Sequence, residues 1–251
     1  MRRNRKFAAP TTRMCDTTMG KTTEQGWPSL TIDEVAHGLS VARKAIEAPA
    51  LVPYYVTHGN YAGASFLGLA PNDPRTVTAT DLHAVSLLSI RDLGPALTRR
   101  VTSPGPRRDA IEAALAAIPT DLTLAQADHA GLEAAWALTN ACRAAVNTPG
   151  ITRSNRWVTA AKLAARKRPR LIPVRDSLVR RLLGLERHAD GRLELSMVQM
   201  LIRHDDVAEG LARALERAKS TAAAENRDCV FDTEPLRLLD AALWLYAKNG
   251  G

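Results

Sequence analysis

The stretch from Ile151 to Leu183 concentrates the net positive charge of this 251-residue chain. It holds ten basic residues and one acidic residue, Asp176, so its net positive charge exceeds the +8 of the whole chain. Apolar residues at helical spacing predict a helix that Pro169 ends, because proline donates no N–H and disfavours helical geometry in the residue before it. Asp176 or Ser177 then caps a second helix, which Gly184 closes. The stretch therefore predicts two helices joined by a short apolar connection.

The rest of the chain is also typical of helices. Strand-like alternation is scarce, alanine is abundant and aromatic residues make up only 4% of the chain. Residues 1–27 are basic and rich in threonine and lack the apolar segment of a secretory signal, so we expect a disordered tail. Residues 28–251 are predicted to form an all-α, multi-helix globular domain. It is either a single unit or two lobes divided at the SPGPRR break near residues 103–108.

Composition limits the location and the partners of the chain. Three widely spaced cysteines predict a reducing cytoplasm without a disulfide framework. No run of about eighteen apolar residues is present, so no membrane helix is expected. A sequence pI near 9.8 favours nucleic acid as the partner. A proteome that encodes arginine freely is the alternative explanation of the charge, but clustering in one stretch argues against it.

Two motifs with known chemistry are set aside. Gly20-Lys21-Thr22-Thr23 ends like a phosphate-binding loop, but that loop needs a glycine at the position that Cys15 occupies. The run His204-Asp205-Asp206 offers metal ligands, but no second histidine stands at helical spacing. Its two aspartates are better explained as the start of a helix. We predict no metal site and no cofactor.

Tyr54, Tyr55 and Tyr61 lie in the segment YYVTHGNYAGASFLGL, where glycines predict a loop. Tyrosines in such a loop can stack on a base. They can equally anchor a long loop on the core, and the residues alone favour that structural reading.

Asp176 also has two interpretations. As a helix N-cap it would contribute on the order of 1 kcal/mol to stability. As the one carboxylate in a cationic region, held ionised by the helix dipole and the arginines, it can stabilise a developing positive charge or orient a water molecule. The residues alone slightly favour the capping role.

The stretch from Trp157 to Leu183, the loop with Tyr61, Gly63 and Phe66, and the terminal LRLLDAALWLY resemble an actinobacterial family of uncharacterised proteins, the domain of unknown function 6308. This resemblance covers most of the chain and implies no activity.

The same stretch is similar to the signature of helix-hairpin-helix DNA glycosylases. In those enzymes a Thr-Ala pair opens the second hairpin helix, and a proline-bearing apolar segment leads to a catalytic aspartate. Here Thr159-Ala160 precedes Asp176 by 17 residues, and PRLIPVRDSLVRRLL matches the segment around that aspartate. The hairpin departs from its usual LPGVG: residues 148–151 read TPGI and are followed by TRSNRW.

The resemblance implies a helix-hairpin-helix glycosylase-like fold that binds DNA and uses Asp176 in base excision. Val158 stands where bifunctional relatives carry a lysine, so it implies a monofunctional enzyme that hydrolyses the N-glycosidic bond. Lys162 lies one helical turn further on and is not equivalent. The basic residues of the stretch are then expected to contact phosphates: Arg153, Arg156, Lys162, Arg166, Lys167, Arg168, Arg170 and Arg175. The alternatives are a nucleic-acid-binding module without catalysis and a helical protein whose basic face meets an acidic protein partner.

Overall fold

The computed structural model describes residues 26–48, 51–91, 93–147 and 156–251. Nearly all of the predicted tail, the Gly20–Thr23 segment, the hairpin residues 148–151 and Arg153 lie outside the described residues.

The described residues form twelve α-helices and one 3₁₀ turn at Leu185–Arg187, and they contain no strand. One isolated antiparallel bridge joins Val56 to Cys229. The prediction of an all-α chain is confirmed. None of these helices combines the length and the apolar character needed to span a membrane. The helices are α1 (Ile32–Glu47), α2 (Leu51–Tyr55), α3 (Gly63–Phe66), α4 (Ala79–Leu87), α5 (Pro95–Thr102), α6 (Pro106–Ala116), α7 (His129–Val146), α8 (Arg156–Lys167), α9 (Ser177–Leu182), α10 (Arg192–Arg203), α11 (Asp205–Ala224) and α12 (Pro235–Lys248).

Side chains of the expected kinds start several of these helices. Thr31 forms a capping box with Glu34 at the start of α1. Asp128 accepts a hydrogen bond from Gly131 N–H, 2.8 Å away, at the start of α7. His204 precedes α11, so Asp205 and Asp206 lie in its first turn as predicted. Thr78 is the N-cap of α4 and forms a capping box with Asp81.

Other helix boundaries differ from those predicted, because short helices produce only weak patterns in the sequence. The aromatic segment is predicted to be a loop, yet it contains the last two residues of α2 and all of α3. Pro106 occupies the first turn of α6, so the SPGPRR segment that was predicted to be a break includes the start of a helix. The eight-residue helix α5 was not predicted; Gly94 and Pro95 open it.

The helices form two sets that meet around α9. In the first set, α5, α6 and α8 pack against α7, and α4 packs against α8. In the second set, α1, α10, α11 and α12 pack against one another, with α2 against α11 and α12. The short helix α9 packs against α12, and α3 lies between α2 and α4. The residues from α8 to α9 therefore pass from the first set to the second.

A buried cluster of charges fixes α8 against α4. Asp81 Oδ1 accepts a hydrogen bond from Arg166 Nε at 3.2 Å, and Asp81 Oδ2 accepts one from Lys167 Nζ at 2.6 Å. All three side chains are completely buried. Arg166 also donates to the carbonyl oxygens of Phe66 and Leu69, beside the C-terminal end of α3. One carboxylate and several carbonyl groups thus accept the hydrogen bonds of two buried cations.

Arg168, which directly follows the last residue of α8, also donates hydrogen bonds to backbone carbonyl groups. Its guanidinium donates to Leu115 O, in the last turn of α6, at 2.5 Å, to Ile118 O, just beyond that helix, at 3.1 Å, and to Pro74 O at 2.9 Å. Helix ends leave backbone carbonyls without partners, and a buried guanidinium can supply several donors at once. The run Arg166–Arg168 therefore joins three parts of the fold from within.

Asp81→Asn is expected to lower the free energy of unfolding by about 3–5 kcal/mol, because it leaves two buried cations without their carboxylate. Urea unfolding measures this loss. The matched control is Glu209→Gln, which breaks the exposed pair between Glu209 and Arg213 and should cost less than about 1 kcal/mol. Equal losses in the two variants would show that the buried cluster is not a major source of stability.

Candidate functional site

A cavity of about 190 Å³ opens where the two sets of helices meet. Its volume equals that of roughly six water molecules at about 30 Å³ each, which suits one small ring system rather than a large ligand. The cavity is lined by Tyr54, Asn60, Tyr61, Ala62, Leu87, Leu88, Ser89, Lys162, Val174, Asp176, Val179, Asp240, Trp244 and Lys248.

Asp176 lies at the edge of this cavity as the N-cap of α9. Its Oδ1 accepts a hydrogen bond from Leu178 N–H at 2.8 Å, so the capping interpretation holds. Among the described residues, no hydrogen bond is formed by Asp176 Oδ2. The side chain is partly exposed, and one carboxylate oxygen is therefore available to a molecule in the cavity.

Lys162 projects from α8 into the same cavity, although only 5% of the residue is exposed. Its Nζ donates to Leu88 O at 2.6 Å, just beyond the C-terminal end of α4. Burial lowers the pKa of Lys162, and the negative charge of Asp176 opposes that shift. The Lys162 side chain therefore lies inside the cavity and interacts electrostatically with Asp176.

Helix α12 contributes three cavity residues, Asp240, Trp244 and Lys248, spaced four residues apart and so on one helix face. Asp240 Oδ2 accepts a hydrogen bond from Val174 N–H at 3.0 Å and forms an ion pair with Arg237 Nη2 at 2.7 Å. Its side chain is 13% exposed. Burial raises the pKa of Asp240 to about 6, although Arg237 and the Val174 N–H act in the opposite direction.

Aromatic rings form one wall of the cavity. The rings of Tyr54 and Tyr61 are stacked with centroids 6.1 Å apart, and Trp244 stands edge-on to Tyr61 at 5.5 Å. Lys248 Nζ lies 4.4 Å from the centroid of the Tyr61 ring and donates to its hydroxyl at 3.0 Å. Tyr55 is placed differently: it is completely buried and donates to Asp232 at 3.3 Å. A base in the cavity cannot reach Tyr55, so this part of the stacking prediction is corrected.

The basic residues predicted to contact phosphates do not share one surface. Arg166, Lys167 and Arg168 are buried and make the internal contacts described above, so they are corrected to structural residues. Arg175 is paired with Glu194 at 3.0 Å, and only 12% of its side chain is exposed. Lys162 faces the cavity.

Arg170 and Arg156, two further residues predicted to contact phosphates, keep partly exposed side chains at the surface. Arg170 forms an ion pair with Glu234 at 3.0 Å, and 41% of its side chain is exposed. Arg156 donates to Val146 O at 2.5 Å, at the end of α7, and is also partly exposed.

The cavity combines an aromatic wall with two carboxyl groups that lie in different surroundings. The Asp176 side chain is partly exposed and accepts a hydrogen bond from a backbone N–H. The Asp240 side chain is mostly buried, and this burial raises its pKa to about 6. Such a pair suits one group that holds a negative charge and another that can carry a proton. In the part of the chain that the structure describes, no cluster of three or more histidine, cysteine or carboxylate side chains is arranged to hold a metal ion.

Sequence reasoning did not find Asp240, Trp244 and Lys248. The pattern LRLLDAALWLYAK predicts a buried helix, and most of α12 is indeed buried. A detectable signal was the four-residue spacing of one acid, one tryptophan and one lysine on a helix otherwise made of leucine and alanine.

The raised pKa of Asp240 predicts a pH-dependent stability. Its pKa is about 6 in the folded protein against an ordinary 3.8, so the protonated form favours the fold and this contribution is lost as the pH rises through 6. Between pH 4 and 7 the unfolding free energy of the wild type should fall by up to about 3 kcal/mol relative to Asp240→Asn. Urea unfolding of both proteins at several pH values measures the difference. Parallel profiles would contradict the assignment.

Comparison with known proteins adds one result. The model of a family described as a family of unknown function (DUF6308) matches residues 48–247, which include every cavity residue except Lys248. No curated protein and no solved structure matches the chain.

Proposed function

We propose that this chain, which belongs to the family of unknown function DUF6308, binds nucleic acid, most simply DNA, and hydrolyses an N-glycosidic bond in the cavity beside Asp176. The reaction class is base excision without lyase chemistry, on a fold of the helix-hairpin-helix glycosylase type. The observation that carries the proposal is the meeting of Asp176 with Tyr54 and Tyr61 in one cavity, since these residues come from distant parts of the chain.

The size and walls of the cavity support a single extruded base as the ligand. Enzymes that act on a base in a duplex rotate it out of the stack and hold it between aromatic or apolar side chains. Tyr54, Tyr61 and Trp244 would provide these walls.

The carboxyl groups have distinct roles in this proposal. Cleavage of an N-glycosidic bond develops positive charge on the sugar, and the free oxygen of Asp176 would stabilise that charge or orient the attacking water. Asp240 would hold a proton near the departing base, because its environment keeps part of it protonated close to neutral pH. Lys162 would fix the position of the Asp176 carboxylate through their charges.

The non-catalytic module is the rival proposal. In that case Asp176 would serve only as a helix cap, and nothing would require an open space beside it. The partly exposed carboxylate at a cavity with aromatic walls favours catalysis over the module. The burial of Arg166, Lys167 and Arg168 weighs against a binding surface made by the whole basic stretch.

Asp176→Asn is expected to slow base release by at least about 100-fold while DNA affinity changes little, because the amide keeps the shape but cannot stabilise a positive charge. Release from duplexes that carry different damaged bases, measured in single turnover, tests this. Asp128→Asn is the matched control, since Asp128 caps α7 in the same way but lies outside the cavity. Unchanged release in Asp176→Asn would overturn the catalytic role.

The first experiment on the wild type is fluorescence anisotropy with two labelled duplexes at about 150 mM salt. One duplex is intact, and the other contains a stable abasic-site analogue. Tighter binding to the abasic duplex is expected, because the cavity would receive the extruded sugar. Equal affinity for both would favour the non-catalytic module. Binding to neither would direct attention to an acidic protein partner.

A further inference from the structure

A short connector, residues 173–175, leads directly to Asp176, the N-cap of α9. In the part of the chain that the structure describes, the connector forms no backbone–backbone hydrogen bond. Backbone N–H and C=O groups need partners when they are removed from water, so the connector must be held by side chains. Whatever holds the connector also sets the position of Asp176.

Helix α12 holds the connector through two charged residues. Asp240 Oδ2 accepts the hydrogen bond of Val174 N–H at 3.0 Å. Arg237 Nη2 donates to Ile172 O at 2.7 Å and forms an ion pair with Asp240 Oδ2 at 2.7 Å. The pair therefore binds the backbone on both sides of Pro173, which has no N–H of its own to donate.

The stability of the fold alone does not explain an arginine at position 237. Its side chain is only 2% exposed, and its Nε and Nη1 are buried without a hydrogen-bond partner among the described residues. Buried donors without partners destabilise a fold, and an apolar residue of similar volume can often replace a buried ion pair without loss. The charge of Arg237 is therefore better explained by its effect on Asp240.

The two oxygens of Asp240 have different surroundings. Oδ2 faces Arg237 and the Val174 N–H, whereas Oδ1 forms no hydrogen bond with any residue that the structure describes. Because Asp240 lines the cavity, a proton on this carboxyl group would lie on Oδ1 and be available to a bound molecule. Once that proton leaves, the negative charge already faces a cation and an N–H donor. Donors that are in place beforehand stabilise such a charge without any rearrangement.

We propose that Arg237 is a positioning residue for both carboxyl groups of the cavity. It stabilises the charge that Asp240 acquires on releasing its proton, and together with Asp240 it fixes the connector that carries Asp176. The inference rests on the proposed function for the reaction itself. There the proton moves from Asp240 Oδ1 to a nitrogen of the departing base, which takes the electron pair of the broken glycosidic bond. Water supplies the hydroxyl group that the sugar gains and releases its other proton to solvent.

Other titratable groups also surround Asp240. Four of them line the same cavity, and two more are close enough to interact through their charges: Tyr54, Lys162, Asp176 and Lys248, and then Glu194 on α10 and Asp232 ahead of α12. Burial raises the pKa of Asp240, and the charge of Arg237 opposes this shift more strongly than the Val174 N–H does. Loss of that charge should therefore raise the pKa of Asp240 further and make it a weaker acid.

NMR of the wild-type protein tests the link between the two carboxyl groups without substrate and without a variant. The chemical shift of an amide that donates to a carboxylate changes as the carboxylate titrates. The Val174 amide should therefore titrate with a midpoint of about 6, and the Leu178 amide, which donates to Asp176, should show a step at the same pH. The Gly131 amide, which donates to Asp128, is the control and should show no such step. A Leu178 amide that ignores the Val174 midpoint would overturn the link.

Arg237→Gln tests the role of the charge. The Val174 midpoint should rise by at least about one pH unit, and the Leu178 step should shrink. Base release should slow by about tenfold or more at its optimum, while its decline at high pH moves to higher pH, because a weaker acid keeps its proton longer. Arg237→Lys keeps the charge and should restore the midpoint and most of the rate.

The matched control for the variant is Arg203→Gln. Arg203 also joins a helix to a connecting segment, through Ala125 O at 2.7 Å and Ala127 O at 2.8 Å, but it does not line the cavity. This variant should leave the midpoint and the pH profile unchanged. An Arg237→Gln protein that loses activity equally at every pH, with an unchanged Val174 midpoint, would have only a structural defect, and the positioning role would be wrong.

The two proposals can fail separately. A wild-type protein that releases no base, but whose Val174 and Leu178 amides titrate together, would contradict the proposed function and leave the link between the carboxyl groups intact. A protein that releases base, with the same pH profile and the same Val174 midpoint in Arg237→Gln, would contradict the positioning role alone.

Discussion

The fold depends on Asp81, a fully buried carboxylate that one capping box and two cations share. Removing a carboxylate from water is costly, and the cost is offset only where hydrogen bonds and opposite charges surround it. Arg166 and Lys167 meet that requirement and also bind carbonyl and amide oxygens of the segment between α3 and α4. Because α8 is held in this way, Lys162 on the same helix enters the cavity.

This burial changes how the basic stretch from Ile151 to Leu183 is interpreted. Clustered arginines and lysines in a sequence are usually assigned to a solvent-exposed surface, since charged residues are rarely buried without partners. Here the partners exist, but they lie in α3, α4 and α6. The residues 166–168 stabilise the interior, and the arginines that are exposed to solvent lie elsewhere, as Arg181 and Arg213 do.

Local signals in the sequence predicted the helices well, and tertiary contacts explain what they missed. The cap Asp176 and the break at Pro169 depend on nearest neighbours, so one sequence was enough to find them. Asp176, Tyr54 and Tyr61 were also named, although nothing in the sequence indicated that they would share a cavity. The burial of Arg166 and the entry of Asp240 into that cavity depend on partners far along the chain, which spacing and composition do not reveal.

The contact between Asp81 and Arg166 also bears on how the chain folds. The two residues are separated by 85 positions, so the pair closes a long loop and cannot form until α8 has reached α4. Until then the Asp81 carboxylate has a lower free energy in water than in an apolar core. Helix α4 and the segment around it should therefore gain their final packing together with α8, in one cooperative step. A fragment that ends before α8 would lack the counter-charges of its own interior. During synthesis, the N-terminal half of the chain could therefore not complete its packing until the C-terminal half had been made.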